Sequence, residues 1–220
     1  MAEIEGAILD LDGVITDTAE FHFLSWKRMA EEEDIEFERE DNEKLRGVSR
    51  RRSLELILGE RTDEFSEDEI ERLMSKKNSY YQERIAEMDE DDMLPGAREL
   101  MEECRERGMQ LAIASSSRNA RIVLENLGIT AEFEAISDGY SVKNPKPAPD
   151  LFLHTADKLG LPAEKCLVVE DAESGIDGAL EADMLAVGVG PEDRLDHAHI
   201  RFDSVEEVDL DEIIECAENL

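Results

Sequence analysis

The run Asp10-Leu11-Asp12-Gly13-Val14-Ile15-Thr16-Asp17-Thr18 comes directly after the apolar stretch Ala7-Ile8-Leu9. A short apolar run of this kind reads as a buried strand, and it stops at Gly13, where the backbone turns sharply without a side chain in the way. Side chains alternate faces along a strand, which starts Asp10 and Asp12 out on the same side. Open α/β sheets bind their ligands at the carboxyl ends of strands. Two carboxylates in that place serve metal binding, nucleophilic attack or proton transfer, and the run alone does not choose among them.

From about Thr18 to Met88 the pattern turns almost wholly helical. Phe21, Leu24 and Met29 share one helix face, Leu54, Leu56, Ile57 and Leu58 mark a second helix, and Ile70, Leu73, Met74, Tyr81 and Ile85 stripe a longer third. Ser66 with Glu69 three residues on makes a capping box for that third helix. After Leu94-Pro95-Gly96 strands and helices alternate. Strands are expected at 110–114, 133–136, 166–169 and 184–187, with helices near 97–106, 120–126, 150–159, up to about 182 and after 209. This alternation predicts an α/β fold, a Rossmann-like doubly wound parallel sheet with helices on both faces. The first strand belongs to that sheet, so the core is expected to comprise 1–15 and 92–220, with an inserted helical-bundle cap over 16–91.

The chain has 220 residues, enough for one full core and a small second unit. Asp plus Glu is 57 and Lys plus Arg is 24, a formal net charge of −33. Lysine is scarce, 8 against 16 arginines, and the acids are dispersed rather than gathered into a tail. That distribution favours halophilic adaptation, in which concentrated salt screens self-repulsion over roughly 3 Å at 1 M, over an ordinary acidic cytosolic protein or an acidic partner-binding surface. It argues against a nucleic acid partner, which depends on basic clusters, and Arg50-Arg51-Arg52 is too small a cluster to reverse that. With no apolar stretch of about eighteen residues and no basic-then-apolar leader, no membrane association is expected. Cys104, Cys166 and Cys216 are odd in number and lack a CxxC pair, which fits packing residues in a reducing, cytoplasmic compartment. A monomer is expected.

Four features then fall just after predicted strands or in loops: Asp10-x-Asp12, Ser115, Lys146 within Asn144-Pro145-Lys146-Pro147, and Glu170-Asp171. A parallel sheet brings all such strand ends to one edge. Four acids, a lysine and a hydroxyl make phosphoryl transfer intelligible. Carboxylates at Asp10, Glu170 and Asp171 suit Mg²⁺, a carboxylate nucleophile forms an acyl phosphate, and Lys146 neutralises the transferring group. Each feature also has a plainer reading: a surface turn for the first acids, an N-cap for Ser115, helix-dipole acids for Glu170-Asp171, and a solvated loop for Lys146.

Taken in order, the four motifs resemble those of the haloacid dehalogenase superfamily, and the resemblance narrows to the β-phosphoglucomutase family. The narrowing rests on Phe21-His22-Phe23 and Trp26, on Gly47-Val48-Ser49-Arg50-Arg51-Arg52-Ser53-Leu54, on Lys77-Asn78 and on Ser115-Ser116-Ser117-Arg118-Asn119. The resemblance implies Asp10 as nucleophile and Asp12 as general acid and base. It implies Mg²⁺ held by Asp10, the Asp12 backbone carbonyl, Glu170 and Asp171, with a glucose bisphosphate as activating intermediate. Arg50, Ser117 and Asn119 would hold the phosphate that is not transferred, Gly47 and Val48 would add backbone contacts, and Ser116 would contact the sugar. His22 and Lys77 would couple cap closure to Asp12, and Trp26 would divide its surface between packing and the cap face.

The implied activity is interconversion of β-glucose 1-phosphate and β-glucose 6-phosphate. The nearest rival is a phosphatase of the same fold acting on a sugar phosphate or phosphoglycolate; a catalytically dead binding protein fits less well with an intact set of acids, lysine and hydroxyl. Arg46, Ser116 and the segment 137–144 depart from the family pattern and bear on which sugar is taken. The charge itself makes a prediction: the melting temperature should rise with KCl concentration, and a flat or falling curve would refute salt adaptation.

Overall fold

Six strands form one parallel sheet in the computed structural model, which describes residues 4–45 and 48–220. They are β1 (Gly6–Leu9), β2 (Gln110–Ala114), β3 (Ala135–Ser137), β4 (Cys166–Glu170), β5 (Leu185–Val189) and β6 (Ile200–Phe202), in the order β3-β2-β1-β4-β5-β6. β1 lies between β2 and β4, with Ile8 in register with Ala112 on one side and Val168 on the other. Its four residues are all buried, as expected where helices cover both faces of a parallel sheet. Alternation divides them: Ala7 and Leu9 enter one core with Leu111, Ile113 and Val169, while Ile8 enters the other with Ala112 and Val168.

Between β1 and β2 the chain inserts α1 (Ala19–Glu32), α2 (Arg39–Glu43), α3 (Arg50–Leu58) and α4 (Glu67–Ile85). These helices bury their own apolar cluster, which includes Trp26, Met29, Phe37, Leu54, Ile70 and Leu73. The face that α1 buries is rotated from the expected one: Phe23, Trp26, Met29 and Ala30 are inside, and Phe21 leans instead on the sheet core. The α4 stripe is as read, capping box included, but it carries Lys77 on the same face as Leu73, Met74 and Tyr81. Helical spacing thus drives a lysine inward, where it is 2% exposed.

The two crossings between insertion and sheet run side by side. Leu94 N–H donates to the Ile15 carbonyl at 2.8 Å, Thr16 bridges Met93, and the Thr16 hydroxyl donates to the Asp92 carbonyl at 2.6 Å. Beyond them, α5 (Ala97–Glu106), α6 (Ala120–Asn126), α7 (Asp150–Leu159), α8 (Glu173–Glu181), α9 (Glu192–Leu195) and α10 (Leu210–Asn219) complete the fold. Residues of α5, α6 and α10 pack against one face of the sheet and those of α7 and α8 against the other. β3 and β5 lie one or two residues later than expected, and β6 is a three-residue edge strand too short and mixed to announce itself. Asn119, not Ser115, is the N-cap residue of α6. No helix among the described residues is long and apolar enough to cross a membrane.

Leu54 is fully buried in the cluster of the insertion. Leu54→Ala should therefore cost about 2–5 kcal/mol, read as a lower urea midpoint.

Candidate active site

The chain leaves β1 for the insertion, pairs β2 and β3 on one side, and returns as β4 on the other. That reversal places a topological switch point at the carboxyl ends of β1 and β4, where Asp10 and Glu170 stand. Asp10 N–H continues the ladder to the Val169 carbonyl at 3.0 Å; the chain then turns, with Gly13 at φ +90°. This turn separates the two aspartates that a straight strand would have kept on one side. The Asp10 carboxylate meets Lys146, and that of Asp12 meets Thr18.

Lys146 is buried rather than a solvated loop residue. Its ammonium donates to Asp10 Oδ1 at 2.6 Å, to the Ala114 carbonyl at 2.9 Å and to Glu170 Oε1. Burial works against its charge, but Asp10 and Glu170 outweigh burial and hold it protonated. Asp10 is pushed well above the ordinary carboxylate value of 3.8 by burial, with Glu170, Asp171 and Asp12 adding to the push and Lys146 opposing it.

Oxygens of Asp10, Glu170 and Asp171 lie within 4.8 Å of one another, all on buried residues. Three buried carboxylates facing one lysine are short of positive charge, and hard oxygen donors in this number suit Mg²⁺. The glycines nearby serve this packing. A Cβ at Gly13 would strike the Asp171 carboxylate, and one at Gly175 would strike that of Glu170. The Asp12 carboxylate is outside the cluster, so of Asp12 only its backbone carbonyl is left to serve as the expected ligand.

Asp12 is held from the insertion. The Thr18 hydroxyl contacts its carboxylate and lies 2.9 Å from the Tyr81 hydroxyl. Burial raises the Asp12 proton affinity, against the Thr18 hydrogen bond. Behind Tyr81 the His22 ring sits 4.2 Å away, and Lys77 Nζ is 2.7 Å from His22 Nδ1. Burial, helped by the charges of Lys77 and Arg50, holds His22 well below its ordinary 6.5, so the ring is neutral. Burial and Arg50 likewise pull Lys77 well below 10.5, with Asp12 opposing.

Asp10 and Asp12 border a chamber of about 100 Å³ that residues of the insertion line from the other side. Of the residues picked from sequence, His22, Trp26, Val48, Arg50, Lys77, Ser115, Ser116, Ser117 and Asp171 also line it. Lys146 and Glu170 do not line it; Lys146 joins Glu170 to Asp10, which does. Asn119 is not brought to the chamber: its side chain is spent on Asn78 at 2.9 Å and Gln82 at 3.2 Å, tying α6 to α4. Arg46 and Gly47 lie outside the described residues. Sequence reasoning passed over Asp17, Asn42, Ser53 and Arg118, which also line the chamber. Arg118 stood inside a quoted motif, and its charge in so acidic a chain was the available signal. Within the basic triplet, Arg51 and Arg52 are engaged by Glu55, and Arg51 also by Glu67. Burial pushes the Cys104 thiol up to about 12 and that of Cys166 up to about 11, as befits packing residues.

A buried acid cluster and lysine at the switch point of a parallel sheet, roofed by inserted helices, is a phosphoryl-transfer architecture. The chain belongs to the haloacid dehalogenase-like hydrolase family, whose sequence model matches residues 4–183. It is 44% identical over 189 residues to a β-phosphoglucomutase of Bacillus subtilis (strain 168), covering 85% of this chain and 84% of that one. It is 30% identical to a phosphorylated carbohydrates phosphatase of Thermotoga maritima, covering 81% and 82%. The crystal structure of a β-phosphoglucomutase from Clostridium difficile superposes with a TM-score of 0.94 at 38% identity, covering 98% of each chain.

The state of His22 has a measurable consequence. Between about 6.5 and its depressed folded value the unfolded chain binds the extra proton, so the contribution of a neutral His22 is complete above 6.5 and lost as pH falls. The stability difference between the wild-type protein and His22→Gln, taken from urea titrations, should shrink as pH drops through this range. A difference independent of pH would show that His22 is not held neutral.

Proposed function

We propose that the protein is a β-phosphoglucomutase, interconverting β-D-glucose 1-phosphate and β-D-glucose 6-phosphate through an aspartyl-phosphate enzyme and a glucose bisphosphate. The observation that carries this reading is Arg50, a cap arginine that makes no ion pair among the described residues and lines the same chamber as Asp10. A phosphatase needs one phosphate site; a mutase needs a second, for the phosphate that is not moving. A guanidinium fork suits that second phosphate.

On this reading Asp10 attacks one phosphorus of the bisphosphate, the bond to the sugar oxygen breaks, and that oxygen takes a proton from Asp12, which leaves a sugar monophosphate and the aspartyl-phosphate enzyme. The raised proton affinity of Asp12 suits it to carry that proton. In the second half, Asp12 accepts the proton of the free hydroxyl of an incoming sugar monophosphate, whose oxygen attacks the phosphorus on Asp10; the bond to Asp10 breaks and the bisphosphate forms. The bisphosphate returns with its ends exchanged, and the same steps deliver the isomeric monophosphate. Lys146 holds Asp10 in place and offsets charge on the phosphoryl group, and Ser115 offers it a hydroxyl. Asp10, the Asp12 backbone carbonyl, Glu170 and Asp171 would hold Mg²⁺, which when bound lowers the charge on the phosphoryl oxygens and favours the ionised form of Asp10. Ser116, Ser117, Val48, Trp26, His22 and Lys77 shape the rest of the chamber and exclude water that would otherwise discharge the phosphoenzyme. The family's role for Asn119 becomes indirect here, through the α4–α6 contact, and Gly47 keeps its proposed backbone role.

We further propose that 16–91 acts as a cap on a core of 1–15 and 92–220, and that the enzyme works as a cytoplasmic monomer adapted to salt. A coupled assay with Mg²⁺ and a trace of glucose 1,6-bisphosphate tests the main reading. The β anomer of glucose 1-phosphate should be converted and the α anomer not. Asp10→Asn should abolish turnover, and Arg50→Ala should lower mutase flux on the order of a hundredfold, with a much smaller loss of phosphate release. Phosphate release that outruns isomerisation in the wild-type enzyme would make it a phosphatase of the same fold.

A further inference from the structure

Among the described residues that line the reaction chamber, Asn42 alone carries a carboxamide. It is 6% exposed, and its Oδ1 is shielded from solvent without a hydrogen-bond partner among the described residues. Buried amides in folded proteins are normally paired, and leaving one unpaired is unfavourable. An unpaired amide in the wall of a substrate chamber is in place for a partner that the substrate brings.

The other polar side chains that the insertion gives to this chamber have their partners or their task. Ser53 Oγ donates to the Ser49 carbonyl at 3.2 Å, Lys77 Nζ lies 2.7 Å from His22 Nδ1, and the Asp17 carboxylate accepts from the Ala19 N–H at 2.8 Å. Arg50 is the cation assigned above to the phosphate that does not move. Trp26, Leu45 and Val48 add apolar surface. A mostly apolar wall with a few fixed polar groups is the usual make-up of a small-molecule site, and the polar groups decide which ligand is accepted.

Asn42 is held in place rather than left on a loose loop. It lies in α2, whose entry is closed by a capping box between Glu38 and Asp41. From α1, Lys27 donates to the Phe37 carbonyl at 2.9 Å and to Glu38 at 2.7 Å. Arg39 pairs with both oxygens of Glu20, at 2.5 and 3.0 Å, while its guanidinium lies 4.2 Å from the centre of the Phe23 ring. On the far side, the Leu45 N–H donates to the Asn42 carbonyl at 3.0 Å. The backbone is thereby fixed, and the outer side-chain torsion, which is broad for asparagine, is left to turn the carboxamide toward the chamber.

We propose that Asn42 is a specificity-determining residue whose carboxamide hydrogen-bonds a ring hydroxyl of the sugar phosphate. This rests on the sugar-phosphate reading of the site, which mutase and sugar phosphatase share. Phosphoglycolate carries no hydroxyl and would leave the amide unpaired, so the residue that accepts a sugar also disfavours that smaller substrate.

The test uses full-length Asp10→Asn protein with Mg²⁺. Calorimetry measures binding of glucose 6-phosphate, its 1-, 2-, 3- and 4-deoxy forms and phosphoglycolate, each with Asn42 and with Asn42→Leu. The substitution should weaken glucose 6-phosphate at least about tenfold and phosphoglycolate less than about threefold. For the deoxy form that lacks the recognised hydroxyl, it should likewise cost less than about threefold. Because the substitution removes an unpaired buried amide, the urea midpoint of the ligand-free protein should not fall. Asn42→Ala reads the same comparison should Asn42→Leu disturb the fold. Unchanged binding of glucose 6-phosphate, or equal weakening of it and every deoxy form, would overturn this proposal alone. If the parent protein bound no glucose 6-phosphate and the wild-type enzyme turned none over in the coupled assay, the proposed function would be refuted and this proposal with it.

Discussion

The site hangs on the burial of one ammonium group. Lys146 Nζ reaches from the loop before α7 to the ends of three adjacent strands, touching Asp10 after β1, the Ala114 carbonyl at the end of β2 and Glu170 at the end of β4. A charge this deep is tolerable only with its hydrogen bonds satisfied and countercharge beside it, and three acceptors supply both. Those acceptors in turn need the lysine, since Asp10, Glu170 and Asp171 crowd together within 4.8 Å. The strand register, the loop and the carboxylate cluster therefore specify one another. Removing the lysine would leave the acids to repel; removing the acids would leave a buried cation with little to pair it.

Above this fixed base the inserted helices make a different kind of contribution. They bring side chains whose charges are disfavoured where they sit, Lys77 and Arg50 on the walls and a neutral His22 between them. Such groups weaken the packing of the insertion against itself, and they gain partners when an anion enters. Lys146 on the sheet side has its acceptors without substrate, whereas Lys77 and Arg50 on the cap side form no ion pair among the described residues. That asymmetry is what a site needs if its ligand is to draw the roof down and exclude water.

Much of this was legible in the sequence. Continuous apolar runs before Asp10, Ser115 and Glu170 mark strands buried on both faces, and their parallel pairing follows from the helices between them, whereas their order in the sheet is read only from the structure. The convergence of Asp10, Lys146 and Glu170 follows from topology alone. The rotation of α1 was not legible, because Phe21, Phe23, Leu24 and Trp26 are all apolar and only the neighbouring helices decide which face turns inward. Nor was the parting of Asp10 from Asp12, which depends on the turn after Leu11. The motif around Asn119 marks it as a substrate-binding residue, whereas its hydrogen bonds to Asn78 and Gln82 are tertiary facts that no local pattern announces. β6 stayed hidden because three mixed residues carry too little periodicity to read.

The paired crossings at Ile15–Thr16 and Asp92–Leu94 give the insertion a mechanical character. Two separate tethers would let a helical lid wobble and twist independently of what lies beneath it. Here the tethers are laced together by a backbone and a side-chain hydrogen bond, so the cap motion proposed above would bend them as one narrow ribbon about essentially a single axis. Asp12 lies on one side of that axis, while Thr18, Tyr81 and Arg50 lie on the other. On the proposed mechanism the Asp12 carboxylate, the Thr18 hydroxyl and Arg50 would consequently come into alignment together. On that proposal, assembly of the site would behave as a latch with two positions, discouraging half-open geometries that admit water while retaining the phosphoryl group.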